Sequence, residues 1–432
     1  MSSLRPLLLR LHFYAGILIA PFLLVAATTG LLYAAATPIE RVVYADQLTV
    51  QRTGDTVLPL SRQIAAATAA HPEGTLALVR TSADPADTTQ VLLNVPTLAE
   101  GLKLAVFVDP YTAEVRGALE SYGSSGALPF RTWLSKLHAN LLLGEPGRIY
   151  SELAASWLWV VVLGGLALWF GRRRRRYARP EGGLTGRRRA LGWHGAIGLW
   201  AALGLLGLSA TGLTWSTYAG EHIDTLRTSL SWTTPVLPAA APGDHSAHAA
   251  HDSTTAATAP ADVDQVLAAA AAAGIDGPIE FVPAKPGKAF VVKEIDKQWP
   301  VRLDQVAIDP ATAAVSSELR FADYPLGAKL TRYGIDLHMG VTFGLANQLA
   351  LIVLAAGLIT MTVLGYRMWW HRRPATGRFG RPYPAGSWRH APWPAAALAL
   401  CAVAVGWFLP LLGIPLAAFL AVDLLLGLRR KS

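Results

Sequence analysis

Two stretches of the chain follow one pattern: LHFYAGILIAPFLLVAATTGLLY at Leu11–Tyr33 and WHGAIGLWAALGLLGLSATGLTW at Trp193–Trp215. In each, a histidine (His12 or His194) is followed by a glycine 4 residues later and by another 18 residues later. Each stretch is also long and apolar enough to cross a bilayer as a helix. The sequence therefore predicts two copies of one membrane helix, each beginning near a histidine.

A second pair of motifs recurs at an offset of 200 residues. FVDPYTAEV at Phe107–Val115 returns as AIDPATAAV at Ala307–Val315, and LHANLLLG around His138 returns as LHMGVTFG around His338. The offset between the two membrane stretches is 182, so the second half contains an insertion of 18 residues. Residues 237–262 are rich in alanine, proline, serine and threonine, and we expect the insertion there, in a flexible external loop.

Hydrophobic residues make up 52% of the 432 residues and are clustered in membrane-length runs. We predict six membrane spans, at about 11–36, 149–171, 191–217, 345–370, 392–409 and 411–428. Arginine clusters lie on one side of these spans, which places both termini in the cytoplasm by the positive-inside rule. The net charge of +9 therefore reflects topology and does not indicate nucleic-acid binding. The basic start resembles a signal peptide, but its length and its copy of the repeat favour a retained span.

Two external domains are expected between the spans, at 37–130 and 218–330. Each contains an alanine-rich helical segment, Ser61–Ala70 or Val263–Ala273, followed by strand patterns such as KLAVFVD and KAFVVKEI. The repeated D-P-x-T-A sequence is typical of a hairpin turn. The predicted fold is an α-helical membrane protein with a duplicated helix-pair core of about six spans and two α+β external domains.

These patterns divide the chain into nine segments. They are a first span (1–36), the first external domain (37–130), an outer-face segment with the second span (131–171), a basic cytoplasmic loop (172–190), the third span (191–217), the second external domain with its insertion (218–330), an outer-face segment with the fourth span (331–370), a second basic loop (371–391) and a terminal hairpin (392–428).

Four histidines occupy paired positions in the two halves. His12 and His194 lie at the cytoplasmic start of parallel spans, whereas His138 and His338 precede spans that return from the outside. A single histidine near a helix end is usually an interfacial residue. Two at each membrane face, however, are the number needed for two bis-histidine metal centres, one inner and one outer.

Haem iron suits this arrangement better than a bare metal ion. Two imidazoles fill both axial positions, and a macrocycle fits between apolar helices. Gly16 and Gly198 lie one turn from the inner histidines and would clear space for the ring, although close helix packing also explains them. The single cysteine, Cys401, excludes covalent attachment through a C-x-x-C-H motif and a Cys-ligated cluster. We expect two noncovalent haem b groups per chain.

Arginines near the four histidines are candidate partners for haem propionates: Arg10, Arg131, Arg148 and Arg332. Such residues also commonly mark the membrane edge. His371, after two tryptophans, is an alternative ligand or an interfacial anchor. A further set on the insertion indicates either weak metal capture or a solvated linker: His245, His248 and His251.

The repeated membrane stretches, the D-P-x-T-A turns and the two Leu-His entries together resemble the PepSY-associated transmembrane family over about residues 8–373. That family includes iron-regulated membrane proteins and haem-containing ferric-siderophore reductases of the bacterial inner membrane. The resemblance implies PepSY-like external domains and intramembrane ligands at His12, His138, His194 and His338. Some members are fused to a flavin reductase domain that this chain lacks, so the electron donor is either quinol or a cytoplasmic flavoprotein.

The leading interpretation is a di-haem oxidoreductase of the inner membrane that reduces a ferric chelate or siderophore outside the cytoplasm. The alternative is a non-enzymatic binding or regulatory protein, or a metal or haem transport component. The lipid bilayer is a partner in both cases, and the four paired histidines carry the chemistry only in the first.

Overall fold

A computed structural model describes residues 5–171, 185–239, 262–372 and 392–429. The α-helices are α1 (Arg5–Leu18), α2 (Ala20–Ala34), α3 (Ala36–Val43), α4 (Ala45–Leu48), α5 (Leu60–Ala70), α6 (Pro129–Asn140), α7 (Glu145–Phe170), α8 (Gly186–Leu213), α9 (Tyr218–Ser229), α10 (Val263–Ala272), α11 (Leu326–His338), α12 (Gly344–Trp370), α13 (Pro392–Phe408) and α14 (Pro410–Arg429). The strands are β1 (Thr75–Arg80), β2 (Thr89–Asn94), β3 (Leu102–Val108), β4 (Val115–Tyr122), β5 (Ile279–Val282), β6 (Phe290–Glu294), β7 (Gln305–Ile308) and β8 (Val315–Leu319).

Three of the described helices, α7, α8 and α12, are long and apolar enough to cross a membrane. Their lengths of 26, 28 and 27 residues exceed the roughly 20 that a hydrocarbon core requires. Helices α1 and α2 provide a fourth span when they are taken together as one bent segment. The prediction of six spans is not confirmed. The described apolar stretches of α13 and α14, Ala399–Phe408 and Pro410–Leu426, are shorter than a membrane span requires.

The first span bends by 57° between α1 and α2. Pro21 lies at the start of α2 and has no backbone N–H, so it cannot donate to the carbonyl of Ile17 as a helical residue would. The hydroxyl of Tyr366 on α12 donates to that carbonyl oxygen instead, at 2.9 Å. A proline and a compensating tyrosine thus explain the bend within the apolar bundle.

The segments between the spans contain the two alanine-rich helices, α5 and α10, and the strands within KLAVFVD and KAFVVKEI, β3 and β6, that the sequence predicted. Both D-P-x-T-A motifs make hairpin turns, between β3 and β4 and between β7 and β8. In the first turn the Asp109 carboxylate accepts hydrogen bonds from the backbone N–H groups of Tyr111 and Thr112, at 2.8 and 3.2 Å. Ala113 and Ala313 adopt positive φ angles of 60° and 54° at equivalent places. The turn motif therefore fixes the same hairpin in both halves.

The two external units share one antiparallel sheet of eight strands, in the order β4-β3-β2-β1-β5-β6-β7-β8. Strands β1 and β5 join the halves, with Arg80 opposite Glu280. These two residues are 200 positions apart, so equivalent positions of the two halves meet at the seam, where their side chains form an ion pair of 2.8 Å. Helices α5 and α10 pack on this sheet over a common core, and Ser61 hydrogen-bonds Asp264 between them.

The terminal hairpin, α13 and α14, packs against the helical core. Asp423 on α14 is buried and forms an ion pair with Arg10 on α1, which is also buried. At the turn of the hairpin, Nδ1 of His222 on α9 lies 2.8 Å from the carbonyl oxygen of Phe408. The His222 ring also stacks on Trp407, with ring centroids 5.4 Å apart. Polar contacts at both ends therefore fix the hairpin to the core.

Candidate haem sites

The structure brings together the inner pair of histidines. His12 on α1 and His194 on α8 have ring centroids 6.3 Å apart, and their planes are inclined by 80°. Two imidazoles that share one metal ion have ring centres roughly 6–6.5 Å apart, because each metal–nitrogen bond is about 2 Å long. The inner pair therefore has the separation of two axial ligands on one metal.

A cavity of about 260 Å³ surrounds this pair between α1, α7, α8 and α12. Its wall is mainly apolar, with Val161, Met361 and Trp369 among the lining residues. Gly16 and Gly198, which the sequence singled out, both lie in the wall. A flat apolar ligand with a metal at its centre suits such a space.

At the inner pair, a hydrogen bond determines which ring nitrogen of His194 would bind a metal. Nδ1 of His194 lies 3.0 Å from the backbone carbonyl oxygen of Met361, so Nδ1 carries the proton and Nε2 carries the lone pair through which a metal would be bound. Nδ1 of His12 is buried and makes no hydrogen bond of normal geometry among the described residues. His194 therefore has a backbone acceptor on a neighbouring helix, α12.

In the outer pair a threonine takes the place of the backbone acceptor. Nδ1 of His138 on α6 lies 2.9 Å from Oγ1 of Thr29 on α2. The Thr29 hydroxyl lies 2.9 Å from the carbonyl oxygen of Val25, one turn earlier, and donates its hydrogen there. Since the hydroxyl has one hydrogen, it accepts the Nδ1–H of His138. Nε2 is then the basic nitrogen of the ring.

The second half repeats this arrangement at the equivalent positions of the repeat. Nδ1 of His338 on α11 lies 2.6 Å from Oγ1 of Thr211 on α8, and that hydroxyl donates to the carbonyl oxygen of Gly207 at 2.8 Å. Burial, and after it the charge effect of His138, lower the pKa of the His338 imidazole. Threonine thus sets the orientation and tautomer of both outer histidines.

Two glycines lie directly against the proposed ligands. A Cβ atom on Gly30 would be 3.2 Å from Cε1 of His138, and one on Gly165 would be 3.2 Å from Cε1 of His12. Sequence reasoning chose Gly16 and did not find Gly165. It also missed the threonines, although the Thr-Gly pair that includes Gly30 recurs in both membrane stretches.

Three of the four predicted propionate arginines make ion pairs with carboxylates. Arg10 pairs with Asp423, Arg131 pairs with Glu40 at 3.1 Å, and Arg332 pairs with Asp336 one helical turn away. Three other basic residues line the inner cavity instead: Arg5, Arg187 and Arg372. The structure therefore places a different basic set beside the inner pair than the sequence suggested.

The remaining candidates lie apart from the two histidine pairs. His371 is exposed at the end of α12 and is not among the residues that line the inner cavity. The three histidines of the insertion, His245, His248 and His251, lie outside the described residues. Among the residues that the structure describes, no group of three or more His, Cys, Asp or Glu side chains is arranged to hold a metal ion.

Helix α8 gives the distance between the inner and the outer histidine pair. Helix α8 carries both His194 and Thr211, the partner of His338, 17 residues apart. At 1.5 Å per residue these positions lie about 25 Å apart along the helix axis. The inner and outer pairs therefore lie near opposite ends of a membrane-length helix.

Long apolar helices and an antiparallel sheet define a membrane protein with a sheet domain outside its spans. The chain belongs to the family described as the PepSY-associated TM region, whose model matches residues 9–372. No curated protein matches the chain significantly. The match ends before α13 and α14, so the terminal hairpin lies outside the family region.

Proposed function

We propose that the chain is a membrane oxidoreductase that holds two haem b groups, one between His12 and His194 and one between His138 and His338. It would carry single electrons across the bilayer to a ferric chelate on the outer side. The observation that carries this proposal is the 6.3 Å separation of the inner imidazoles inside an apolar cavity. The matched threonine contacts of the outer histidines support a second site of the same kind.

When bound by two imidazoles, haem iron alternates between its ferric and ferrous states and passes one electron at a time. The protein residues have three tasks in this chemistry. The Met361 carbonyl and the hydroxyls of Thr29 and Thr211 orient the rings and keep the proton on Nδ1. Apolar side chains exclude water from the inner site. The two histidines of each pair would together exclude oxygen from the metal.

The direction of transfer follows from the proposed topology. With arginine-rich loops in the cytoplasm of a bacterial inner membrane, the inner pair would receive electrons from a quinol or a cytoplasmic flavoprotein. The outer pair lies beneath the joined sheet, where a ferric chelate would accept them. Chelators that select ferric iron hold ferrous iron less tightly, so reduction releases the metal for uptake.

Spectroscopy of the purified full chain tests the proposal. We expect a reduced b-type spectrum and two haem groups per chain by pyridine haemochrome. His194→Ala should remove the inner haem and His338→Ala the outer one, each leaving about half of the signal. His222→Ala and His371→Ala serve as controls, because these residues lie outside both pairs. A colourless protein, or ligand variants that keep both haem groups, would reject the proposal in favour of a binding or regulatory role.

A further inference from the structure

The two inner histidines lie within a longer motif that both halves repeat. It reads Arg-x3-Leu-x2-His-x3-Gly and begins at Arg5 and at Arg187, which are as far apart in the chain as the two histidines are. Residues at intervals of three and four lie on one face of a helix. All eight members line the inner cavity: Arg5, Leu9, His12 and Gly16 on α1, and Arg187, Leu191, His194 and Gly198 on α8. Equivalent faces of two helices thus form one cavity.

Arg5 and Arg187 lie at the entrance of this cavity. Each precedes the histidine of its own helix by 7 residues, which is about two turns, or roughly 10 Å along the axis. Both arginines are exposed, whereas Leu205, which lines the cavity farther along α8, is buried. The cavity therefore leads from a basic entrance, past the two histidines, to an apolar interior.

The positive charge at the entrance has no acidic counterpart in the cavity wall. The described lining residues include no Asp or Glu. Within the part of the chain that the structure describes, neither Arg5 nor Arg187 forms an ion pair. Arg10, by contrast, corresponds to Gly192 in the repeat and pairs with the buried Asp423. The two repeated arginines are therefore the ones available to an anionic ligand.

We propose that Arg5 and Arg187 bind the two propionates of the inner haem, so that the carboxylate edge of the macrocycle faces the start of α1 and α8. This inference rests on the proposed function, because it takes haem as the group that His12 and His194 hold. A porphyrin dicarboxylate combines an apolar ring with two anionic groups on one edge. The cavity combines an apolar wall with two equivalent arginines at one end, and a guanidinium binds a carboxylate through two parallel hydrogen bonds.

Haem titration of the full chain tests this inference in the His338→Ala background, where the inner site is the only one proposed. Protein from haem-deficient cells is titrated with haem b and with its dimethyl ester, in which both carboxylates are uncharged. We expect haem b to bind about fivefold less tightly in Arg5→Gln and in Arg187→Gln, and about 25-fold less tightly in the double variant, because these ion pairs are partly exposed. The ester should bind to all of these forms with equal affinity.

Arg188 provides a matched control. It neighbours Arg187 on α8 and is also exposed, but it is not among the residues that line the cavity. Arg188→Gln should therefore bind haem b as tightly as the background protein does. Size-exclusion chromatography checks that each variant remains folded.

The absorbance of bound haem distinguishes the outcomes without any electron transfer. Equal losses of affinity for haem b and for the ester, or a loss in Arg188→Gln as large as in Arg187→Gln, would overturn the assignment of the propionates to these arginines. Unchanged affinity for haem b in the double variant would overturn it as well, while leaving the two haem sites in place. A chain with all its histidines that binds no haem would reject the proposed function and this inference together.

Discussion

Replacing Thr29 by valine should weaken haem binding at the outer site without disturbing the fold. Valine keeps the shape of threonine but removes the oxygen that lies 2.9 Å from Nδ1 of His138. The Nδ1–H is then buried without an acceptor, at a cost of about 1–3 kcal/mol. Since about 1.4 kcal/mol corresponds to a factor of ten, we expect roughly 5- to 150-fold weaker outer haem binding.

The neighbouring Thr28 provides a matched control. Its hydroxyl donates to the carbonyl oxygen of Leu24, one turn earlier in the helix, at 2.8 Å, just as the Thr29 hydroxyl donates to that of Val25. Thr28 is exposed, however, and it is Thr29 that contacts His138. Haem titration of protein from haem-deficient cells should show a loss for Thr29→Val and none for Thr28→Val, with recovery in Thr29→Ser. Equal losses in the two valine variants, or full affinity in Thr29→Val, would refute the proposed role of the hydroxyl.

Three further predictions concern the buried Arg10–Asp423 pair, the inner cavity and the seam of the sheet. Asp423→Leu should destabilise the chain by about 3–5 kcal/mol in thermal unfolding, because it removes the carboxylate that pairs with the buried guanidinium of Arg10. Adding Arg10→Met should restore most of this loss. A cost below about 1 kcal/mol for Asp423→Leu alone would contradict burial of the pair. Gly165→Val should eliminate the inner haem spectrum by pushing against the imidazole, whereas Gly207→Val should not, since a Cβ there meets nothing within 4 Å. Burial alone would raise the pKa of Glu280, but the positive charges of Lys293 and Arg80 outweigh burial and lower the pKa. Ionised Glu280 therefore stabilises the fold at pH values above the ordinary glutamate pKa, and this stabilisation is lost as pH falls through the lowered pKa. In Glu280→Gln, acid unfolding curves should lack this loss of stability.

Local sequence signals predicted the elements that local chemistry determines. The helices near Ser61 and Val263 and the D-P-x-T-A hairpins were visible because capping, turn geometry and alternation act within a few residues. The bend in the first span also has a local cause, Pro21, although its compensating Tyr366 lies 349 residues from the carbonyl that it satisfies. Partners at such distances leave no periodic signal.

The candidate sites show the same limit. The repeat identified His12 and His194 as a pair, and the structure places their rings together. It gave no sign that Arg10 faces Asp423, because charge partners on helices at opposite ends of a chain are fixed only by packing. Nor did it predict that β1 and β5 join the external units, since either edge strand of each unit had the backbone groups to pair.

The ion pair at the seam of the sheet also limits how such a chain assembles. In a symmetric dimer built from one half alone, the residue on the two-fold axis would meet its own copy across the β1-type edge. Two arginines or two glutamates would then repel, whereas this chain places Arg80 against Glu280. The Arg80–Glu280 pair therefore favours pairing of each half with the other half over pairing with a copy of itself.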